Sequence, residues 1–237
     1  ALSLILSFGK EKYNFAQLKG KGNFPYKDLV EKNDKHIRQQ MTAFTHLHVH
    51  SHYSILDGMS KIEDLIEKAT ANGMYSMALT DHGNMFGIKD FFDSAEKYNS
   101  SIKTKIKEKE KVLAEAPEDQ KEAITTEIEA LKKTFFKPIF GCEAYVARQT
   151  PSNPTGSRKV IQYKENQSGY HLILLAKNQT GYKNLCQIIS KSWTEGYYNR
   201  PRIDRELLEE YSEGLIVASA CLAGELNKKI ENGDING

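Results

Sequence analysis

Four of the seven histidines lie within seven consecutive residues, and their alternation suits the binding of a metal ion. They are His46, His48, His50 and His52. If this segment is a β-strand, His48 and His50 share one face and their imidazoles can converge. Neutral imidazole is a good ligand for zinc, iron and manganese, and Asp57 can bring a carboxylate back from the following turn. The competing interpretation of so short a motif is a strand whose histidines make ordinary hydrogen bonds.

Four further candidate ligands lie in, or directly beside, segments that the sequence predicts to be strands. They are His82, Glu143, His171 and Cys221. Taken singly, each has a simpler explanation, such as a structural histidine, an exposed acid or a buried thiol. Taken with the histidine pair and Asp57, they outnumber the ligands of one tetrahedral ion, which implies more than one metal. Neighbouring metals bridged by a carboxylate hold phosphate and generate hydroxide near neutral pH, so the set indicates phosphoester hydrolysis.

The elements that would position these side chains follow a β–α–β order in the first part of the chain. Strands are predicted over residues 44–49 and 76–80, separated by a helix with Ser60 as its N-cap and Glu63 completing a capping box. This order predicts a parallel sheet or barrel. Functional groups in such folds gather at the carboxyl ends of the strands, where the histidine pair and His82 would lie.

The rest of the chain is predicted to add three strands, a helix and one charged excursion. The strands cover residues 138–146, 171–176 and 214–219, and the helix covers about 180–193. The excursion, about residues 94–136, is rich in Lys and Glu and carries a single narrow apolar seam, which predicts an inserted helical hairpin. Mixed charge along a helix usually marks an exposed face, so a solvated insertion without chemistry is the favoured interpretation.

The bulk composition restricts the possible partners. The net charge of +2 gives no overall basic field, so any contact with nucleic acid depends on local groups. The candidates for phosphate contacts are Arg158, Lys159, Arg200 and Arg202. Tyr197 and Tyr198 lie in a predicted loop over residues 197–202. Their rings can stack on an unpaired 3′ end or simply pack at the rim of a barrel. No apolar run approaches the ~20 residues of a membrane span, and three cysteines without a CxxC pair predict a reducing, cytoplasmic setting.

Five segments of the sequence resemble the PHP (polymerase and histidinol phosphatase) domain family. They are HLHVHSHYSILDG, ALTDHG, IFGCEAYV, HLILLAKNQTGYKNLCQIIS and GLIVASACLAGEL. The resemblance narrows to the PHP domains of bacterial replicative DNA polymerase III α subunits, because RPRIDRELLEEYSEGLI is similar to them as well. It implies an α/β fold, a distorted (βα)7 barrel over residues 42–237. The barrel would be incomplete at its C-terminus, since the family's last Asp and His ligands lie on a later strand, and residues 1–41 would be an N-terminal extension or linker.

The resemblance also implies the composition of the metal centre. Two or three divalent ions, whether zinc, manganese or iron, would be held by seven residues: His48, His50, Asp57, His82, Glu143, His171 and Cys221. Glu143 would bridge metals and, with His48 and His50, would carry catalysis. Some family members keep the whole ligand set and are metal-dependent 3′–5′ exonucleases, whereas others have lost ligands and act as scaffolds.

Three functions remain open on the sequence alone. They are a proofreading exonuclease domain within a DNA polymerase, a metal-stabilised scaffold that binds a proofreading exonuclease subunit, and a free-standing small-molecule phosphatase. Every ligand position that the chain reaches holds a competent residue type, which favours the first. The implied partners are primer–template DNA, the other domains of the polymerase α subunit, the exonuclease subunit and the sliding clamp, with no membrane.

Overall fold

The structure, a computed structural model, describes residues 44–55, 57–160 and 169–234, so the predicted extension over residues 1–41 lies outside the described residues. Within these ranges the chain is a mixed α/β fold with six helices and six strands. The helices are α1 (Ile62–Ala71), α2 (Ile88–Glu115), α3 (Glu118–Lys132), α4 (Gln179–Thr194), α5 (Arg205–Glu210) and α6 (Glu225–Glu231). The strands are β1 (Ser76–Leu79), β2 (Lys137–Val146), β3 (Tyr170–Ala176), β4 (Tyr197–Tyr198), β5 (Arg200–Ile203) and β6 (Leu215–Ala218).

The long strand β2 organises the sheet. Its first half pairs in parallel with β1, and its second half pairs with β3 on one side and, in parallel, with β5 on the other. Strand β3 runs antiparallel both to β2 and to β6. The expectation of a parallel sheet is therefore correct for the β1–β2 and β2–β5 pairs and wrong for β3, whose direction no local pattern records.

The predicted first strand is an extended segment with a single bridge, between His46 and Met77. It runs beside β1, where the amides of Ala78 and Thr80 each donate at 2.8 Å to the carbonyls of His46 and Val49. The Val49 amide, however, donates to the side-chain hydroxyl of Thr80 at 2.9 Å. A ladder needs that amide to bond to backbone, so the segment follows the edge of β1 without becoming a regular strand.

The N-cap of helix α1 lies one residue later in the chain than predicted. Its N-cap is Lys61, which makes no side-chain capping bond, so the predicted capping box of Ser60 and Glu63 does not form. The Ser60 carbonyl accepts the His52 amide at 2.9 Å and so belongs to the loop before the helix. The helix buries Ile62 and its apolar face against the sheet, as the periodicity predicts.

Two apolar clusters hold the helices against the sheet. The first joins α1, β1 and the start of α2, with Leu79, Phe91 and Phe136 among its buried members. The second packs α4 and α5 on the other half of the sheet, through residues such as Leu185 and Leu207. Both clusters include residues of the strands that carry or precede the candidate ligands, so they fix the backbone from which those ligands project.

Helices α2 and α3 form a hairpin over most of the predicted excursion. They meet at Ala116 and Pro117, and a small cluster of their own includes Ile102, Ile106 and Ile128. The side chain of Asn99 exchanges two hydrogen bonds with the backbone of Phe136, at 2.9 and 2.7 Å, where the two arms leave the body. The arms are therefore tied at their base and packed on each other beyond it.

The predicted loop over residues 197–202 is an antiparallel pair of short strands, β4 and β5. Asn199 makes the turn with a φ of 57°, a left-handed conformation that asparagine tolerates better than most residues. The loop prediction is wrong because β5 is set by its pairing with the distant strand β2, not by its own sequence. No helix among the described residues is long and apolar enough to cross a membrane.

Candidate metal centre

The strand pairing brings the candidate ligands around Glu143. His82 follows β1 and forms an isolated bridge with Glu143, and the Gly83 amide donates to the Glu143 carbonyl at 2.8 Å. In the β2–β3 register, His171 lies opposite Tyr145, which shares a face of β2 with Glu143. Four separate stretches of chain therefore meet at one carboxylate, with the segment that carries His48 and His50 as the fourth.

The Glu143 carboxylate has no solvent exposure and four imidazoles face it. Its Oε1 lies 2.8 Å from Nδ1 of His171 and 3.2 Å from Nε2 of His48. Its Oε2 lies 2.6 Å from Nδ1 of His82 and 3.4 Å from Nε2 of His50. A buried carboxylate with no counter-charge is strongly unfavourable, so this arrangement calls for positive charge at the centre.

Burial alone would raise the pKa of Glu143. The imidazoles of His171, His48 and His82, which face the carboxylate, outweigh burial and hold that pKa well below its usual range. The group is therefore an anion near neutral pH, and it can only accept hydrogen bonds or bind a cation.

A hydrogen-bond chain fixes which nitrogen of His50 carries its proton. The Ser54 hydroxyl donates to Asp81 at 2.7 Å and accepts the His82 amide at 3.1 Å. Because its single proton is used, Ser54 can only accept from Nδ1 of His50, 3.2 Å away. Burial, followed by the neighbouring His82, lowers the pKa of His50 to about 4. The ring is then neutral at pH 7, with its proton on Nδ1 and a free lone pair on Nε2.

The nitrogen that carries this lone pair faces His48 and Glu143. Nε2 of His50 is 3.0 Å from Nε2 of His48 and 3.4 Å from Glu143 Oε2. Nδ1 of His82 and Oε2 of Glu143 are buried and 2.6 Å apart, yet neither makes a hydrogen bond of acceptable geometry. The distance between the two atoms is short enough for a hydrogen bond, but the angles are not suitable for one. Both atoms are therefore buried without a hydrogen-bond partner. Lone pairs converging in this way fit metal cations.

Two groups of ligand atoms in the described residues are close enough together to hold an ion. One is His48, His50 and Glu143, and the other is His82, Glu143 and His171. Glu143 belongs to both groups, and each of its two oxygens lies near one histidine of each group. Imidazole nitrogen with carboxylate oxygen is a donor set that suits zinc, manganese or iron.

Asp57 and Cys221 lie at the edge of these two groups. Asp57 is 64% exposed, with Oδ2 3.1 Å from Nε2 of His82. The Cys221 thiol lies 3.5 Å from Nδ1 of His171 and 3.8 Å from Glu143 Oε1. It is held there by its backbone, whose carbonyl accepts the Asn227 side chain at 2.7 Å. All seven predicted ligands are thus brought together, five of them within the two groups.

Comparison with known proteins supplies the family. The model of the PHP domain matches residues 46–236. The chain belongs to the PHP domain family. It is 42% identical over 191 residues to the DNA polymerase III subunit alpha of Borreliella burgdorferi, which covers 80% of this chain and 13% of that protein. The subunits of Treponema pallidum and Helicobacter pylori are 40% and 38% identical, each over 78% of this chain and 12% of their own length. The chain spans about an eighth of the curated relatives that it matches.

Two of the four basic residues predicted to contact nucleic acid are buried in this PHP domain. Arg158 is 4% exposed, and its guanidinium bonds to Asp204 at 2.8 Å and to Glu195 at 2.6 Å. Arg202 has no exposure and donates to backbone carbonyls, including that of Gly196. Both side chains hold the described part of the loop after β2 against β5 and α4, so the prediction of a nucleic-acid contact is wrong for them.

The other two basic residues are exposed. Lys159 projects into solvent. Arg200 lies with its guanidinium carbon 5.0 Å from the centre of the Tyr145 ring and donates to the Tyr145 hydroxyl at 2.8 Å. Burial raises the pKa of Tyr145 to about 12, so that hydroxyl keeps its proton. Of the four basic residues predicted to contact nucleic acid, Arg200 is therefore the one that lies beside the candidate metal centre.

Three residues of the PHP site were not anticipated from the sequence: Ser51, Ser54 and Asp81. The buried Asp81 carboxylate accepts the Ser51 amide at 2.6 Å, the Ser51 hydroxyl at 2.8 Å and the Ser54 hydroxyl. Such outer partners orient the ligands and select their tautomer. The available signal was their position, since Ser51 and Ser54 lie one and four residues after His50 and Asp81 directly precedes His82.

Proposed function

We propose that the chain is the PHP domain of a DNA polymerase III α subunit and that its centre hydrolyses phosphodiesters, as a 3′–5′ exonuclease acting in proofreading during DNA replication. The observation that carries the proposal is the fully buried Glu143 carboxylate shared by two groups of candidate ligands. The similarity to polymerase III α subunits supplies the substrate class, DNA. A distorted (βα)7 barrel is the architecture that this proposal assumes.

The proposed centre holds two or three divalent ions of zinc, manganese or iron. His48, His50 and Glu143 would hold one ion, and His82, Glu143 and His171 another, with Asp57 and Cys221 completing the set. Bound metals supply a hydroxide near neutral pH and bind phosphate oxygens. Within the chain, Glu143 provides the shared negative charge, and Ser54 keeps the proton of His50 on the nitrogen that faces away from the centre.

The partners follow from the proposed parent protein. They are primer–template DNA, the other domains of the α subunit, and, by the resemblance, a proofreading exonuclease subunit and the sliding clamp. A reducing, cytoplasmic setting belongs to the same proposal, and it is supported by Cys142, Cys186 and Cys221, which are all free thiols.

A scaffold is the second candidate, and one observation favours it. Leu222, Leu226 and Ile230 are each more than half exposed, on α6 and the loop before it. Exposed apolar groups in one region of a surface suit contact with another polypeptide. If the metals only stabilise the fold, this surface would be the functional part of the domain.

Metal content and nuclease activity separate these candidates. Glu143→Gln should lower the metal content of the purified chain by at least one ion and abolish release of nucleotides from a mismatched primer, because both groups share this side chain. The exposed Glu213→Gln is the matched control and should change neither. Unchanged metal content in Glu143→Gln contradicts the proposed centre. If Glu143→Gln loses metal but the unsubstituted chain releases no nucleotides, the result favours the scaffold.

A further inference from the structure

Three exposed aromatic side chains contact one another beside the metal centre. Phe86, Trp193 and Tyr197 are 61%, 42% and 52% exposed, and we call them the aromatic shelf. The ring centres of Trp193 and Tyr197 are 5.5 Å apart with only 21° between their planes, and Phe86 lies 6.1 Å from Trp193. Large apolar groups clustered at a surface mark a site of interaction more often than an accident of packing.

The shelf is fixed to the loop that carries a candidate ligand. The Trp193 indole N–H donates to the carbonyl of Gly83 at 2.8 Å, and Gly83 directly follows His82. Gly83 has a φ of 61°, and a Cβ there would lie 2.7 Å from a ring carbon of Pro201, at the start of β5. The turn after His82, the end of α4 and the β4–β5 hairpin are thus in direct contact. A shelf held in this way loses little conformational freedom when a ligand covers it.

A positive charge lies beside the centre, on the hairpin that also carries Tyr197. Arg200, on the same hairpin as Tyr197, lies over the ring of Tyr145. Tyr145 in turn stacks on His82, with ring centres 6.1 Å apart and 20° between planes. One aromatic ring therefore separates the exposed guanidinium of Arg200 from a candidate metal ligand.

We propose that the aromatic shelf is a subsite that stacks an unpaired base of single-stranded DNA, while Arg200 contacts its phosphate chain next to the metal centre. The inference rests on the proposed function and adds to it the strand state of the substrate. Only a ligand that is both flat and anionic uses the rings and the arginine together. A base within a duplex has no free face, whereas every unpaired base has one, so the subsite selects single strands without selecting sequence.

The only tryptophan of the 237-residue sequence is Trp193, which gives a direct probe. A single-stranded oligodeoxynucleotide is titrated into the full chain in the presence of a chelator, so that no hydrolysis occurs. We expect it to quench Trp193 emission. An abasic phosphodiester chain of equal length should cause little quenching and bind at least about fivefold more weakly, the lower bound for stacking one base.

Variants test the same subsite by fluorescence anisotropy of a labelled oligonucleotide. Tyr197→Ala and Phe86→Ala should each weaken binding of the base-bearing strand at least about fivefold and leave the abasic chain unaffected. Arg200→Gln should weaken the binding of both the base-bearing and the abasic chain and reduce the dependence of binding on salt. Val112→Ala, which removes an apolar group of similar exposure on α2, is the control and should change nothing.

Equal affinity for the base-bearing and abasic chains would overturn the proposal. So would unchanged binding in both Tyr197→Ala and Phe86→Ala, provided that circular dichroism shows each variant folded, because the shelf would then face a protein instead. Hydrolysis of a small phosphodiester that lacks a base tests the proposed function separately. Base-dependent binding without any hydrolysis would leave the subsite standing, and hydrolysis without base-dependent binding would remove the subsite alone.

Discussion

Replacing Ser54 by alanine removes the group that orients His50. The hydroxyl bonds at once to Asp81, to the His82 amide and to Nδ1 of His50, at 2.7, 3.1 and 3.2 Å. Without it, His50 loses the partner that keeps its proton on Nδ1. The ring is then free to place that proton on Nε2, the nitrogen that faces Glu143 Oε2 at 3.4 Å, where it would compete with a metal.

The expected loss is a factor of about 10 to 100 in metal affinity, the usual effect of removing an outer partner of a ligand. This corresponds to roughly 1.4 to 2.8 kcal/mol of binding free energy. Ser54 is fully buried, so the partners left behind should also lower the free energy of unfolding by about 1 to 3 kcal/mol. The two losses have different causes and can be measured independently.

The assay is competition for manganese or zinc between the chain and a chromophoric chelator, with unfolding in urea followed in parallel. Ser51→Ala is the matched control, because the Ser51 hydroxyl bonds to Asp81 at 2.8 Å without touching His50. It should lower stability and leave metal affinity within about threefold, while Ser54→Thr, which keeps the hydroxyl, should restore binding. Nitrogen chemical shifts of the metal-free chain report the tautomer of His50 directly.

Two results would refute the reasoning. One is a Ser54→Ala variant that binds metal as tightly as Ser51→Ala does. The other is a parent chain whose spectrum shows the His50 proton on Nε2, since the hydrogen bonds around Ser54 would then have been assigned in the wrong direction.

The remaining predictions concern stability. Replacing residues 100–133 by a short Gly/Ser linker should leave a cooperative thermal transition, because Asn99 and Phe136 still join the base of the hairpin; aggregation would show that its seam supports the body. Arg158→Ala should lower the free energy of unfolding in urea by about 3 to 5 kcal/mol, because it leaves the buried Asp204 carboxylate unpaired, and the adjacent exposed Lys159→Ala should change it little. Ala220→Gly should raise it by up to about 1 kcal/mol by relieving a left-handed φ of 58°, and a loss would mean that the methyl packs favourably.

Hydrophobic periodicity predicted the elements whose secondary structure is determined by their local sequence. Strand β2 was predicted from residue 138 and begins at Lys137, and the helix predicted over residues 180–193 is observed as Gln179–Thr194. The β4–β5 hairpin and the direction of β3 were missed, because both depend on pairing with a strand far away in sequence. Local patterns carry little information of that kind.

The same division applies to the candidate site. The alternation of His48 and His50 identified them as candidate ligands, and Glu143 was a candidate because it lies in a predicted strand. The family resemblance then supplied its bridging role. The role of Ser54 depends on a bond to Asp81 across 27 residues, which no spacing within one motif records. The burial of basic residues was the hardest feature to predict. The sequence suggests that Arg158 and Arg202 are exposed charges, because the groups that they bond to lie in other elements.

The centre combines two kinds of interaction that respond differently to metal. The Asp81 hydrogen bonds to Ser51 and Ser54 join the histidine segment to the end of β1 using protein groups alone, so they can hold His50 in place before any ion arrives. Nδ1 of His82 and Oε2 of Glu143 have no such internal solution, because both atoms are buried and neither makes a hydrogen bond of acceptable geometry. A bound cation would give both atoms a partner and would join the segments that carry these ligands, so metal binding would contribute to the folding free energy as well as to the chemistry.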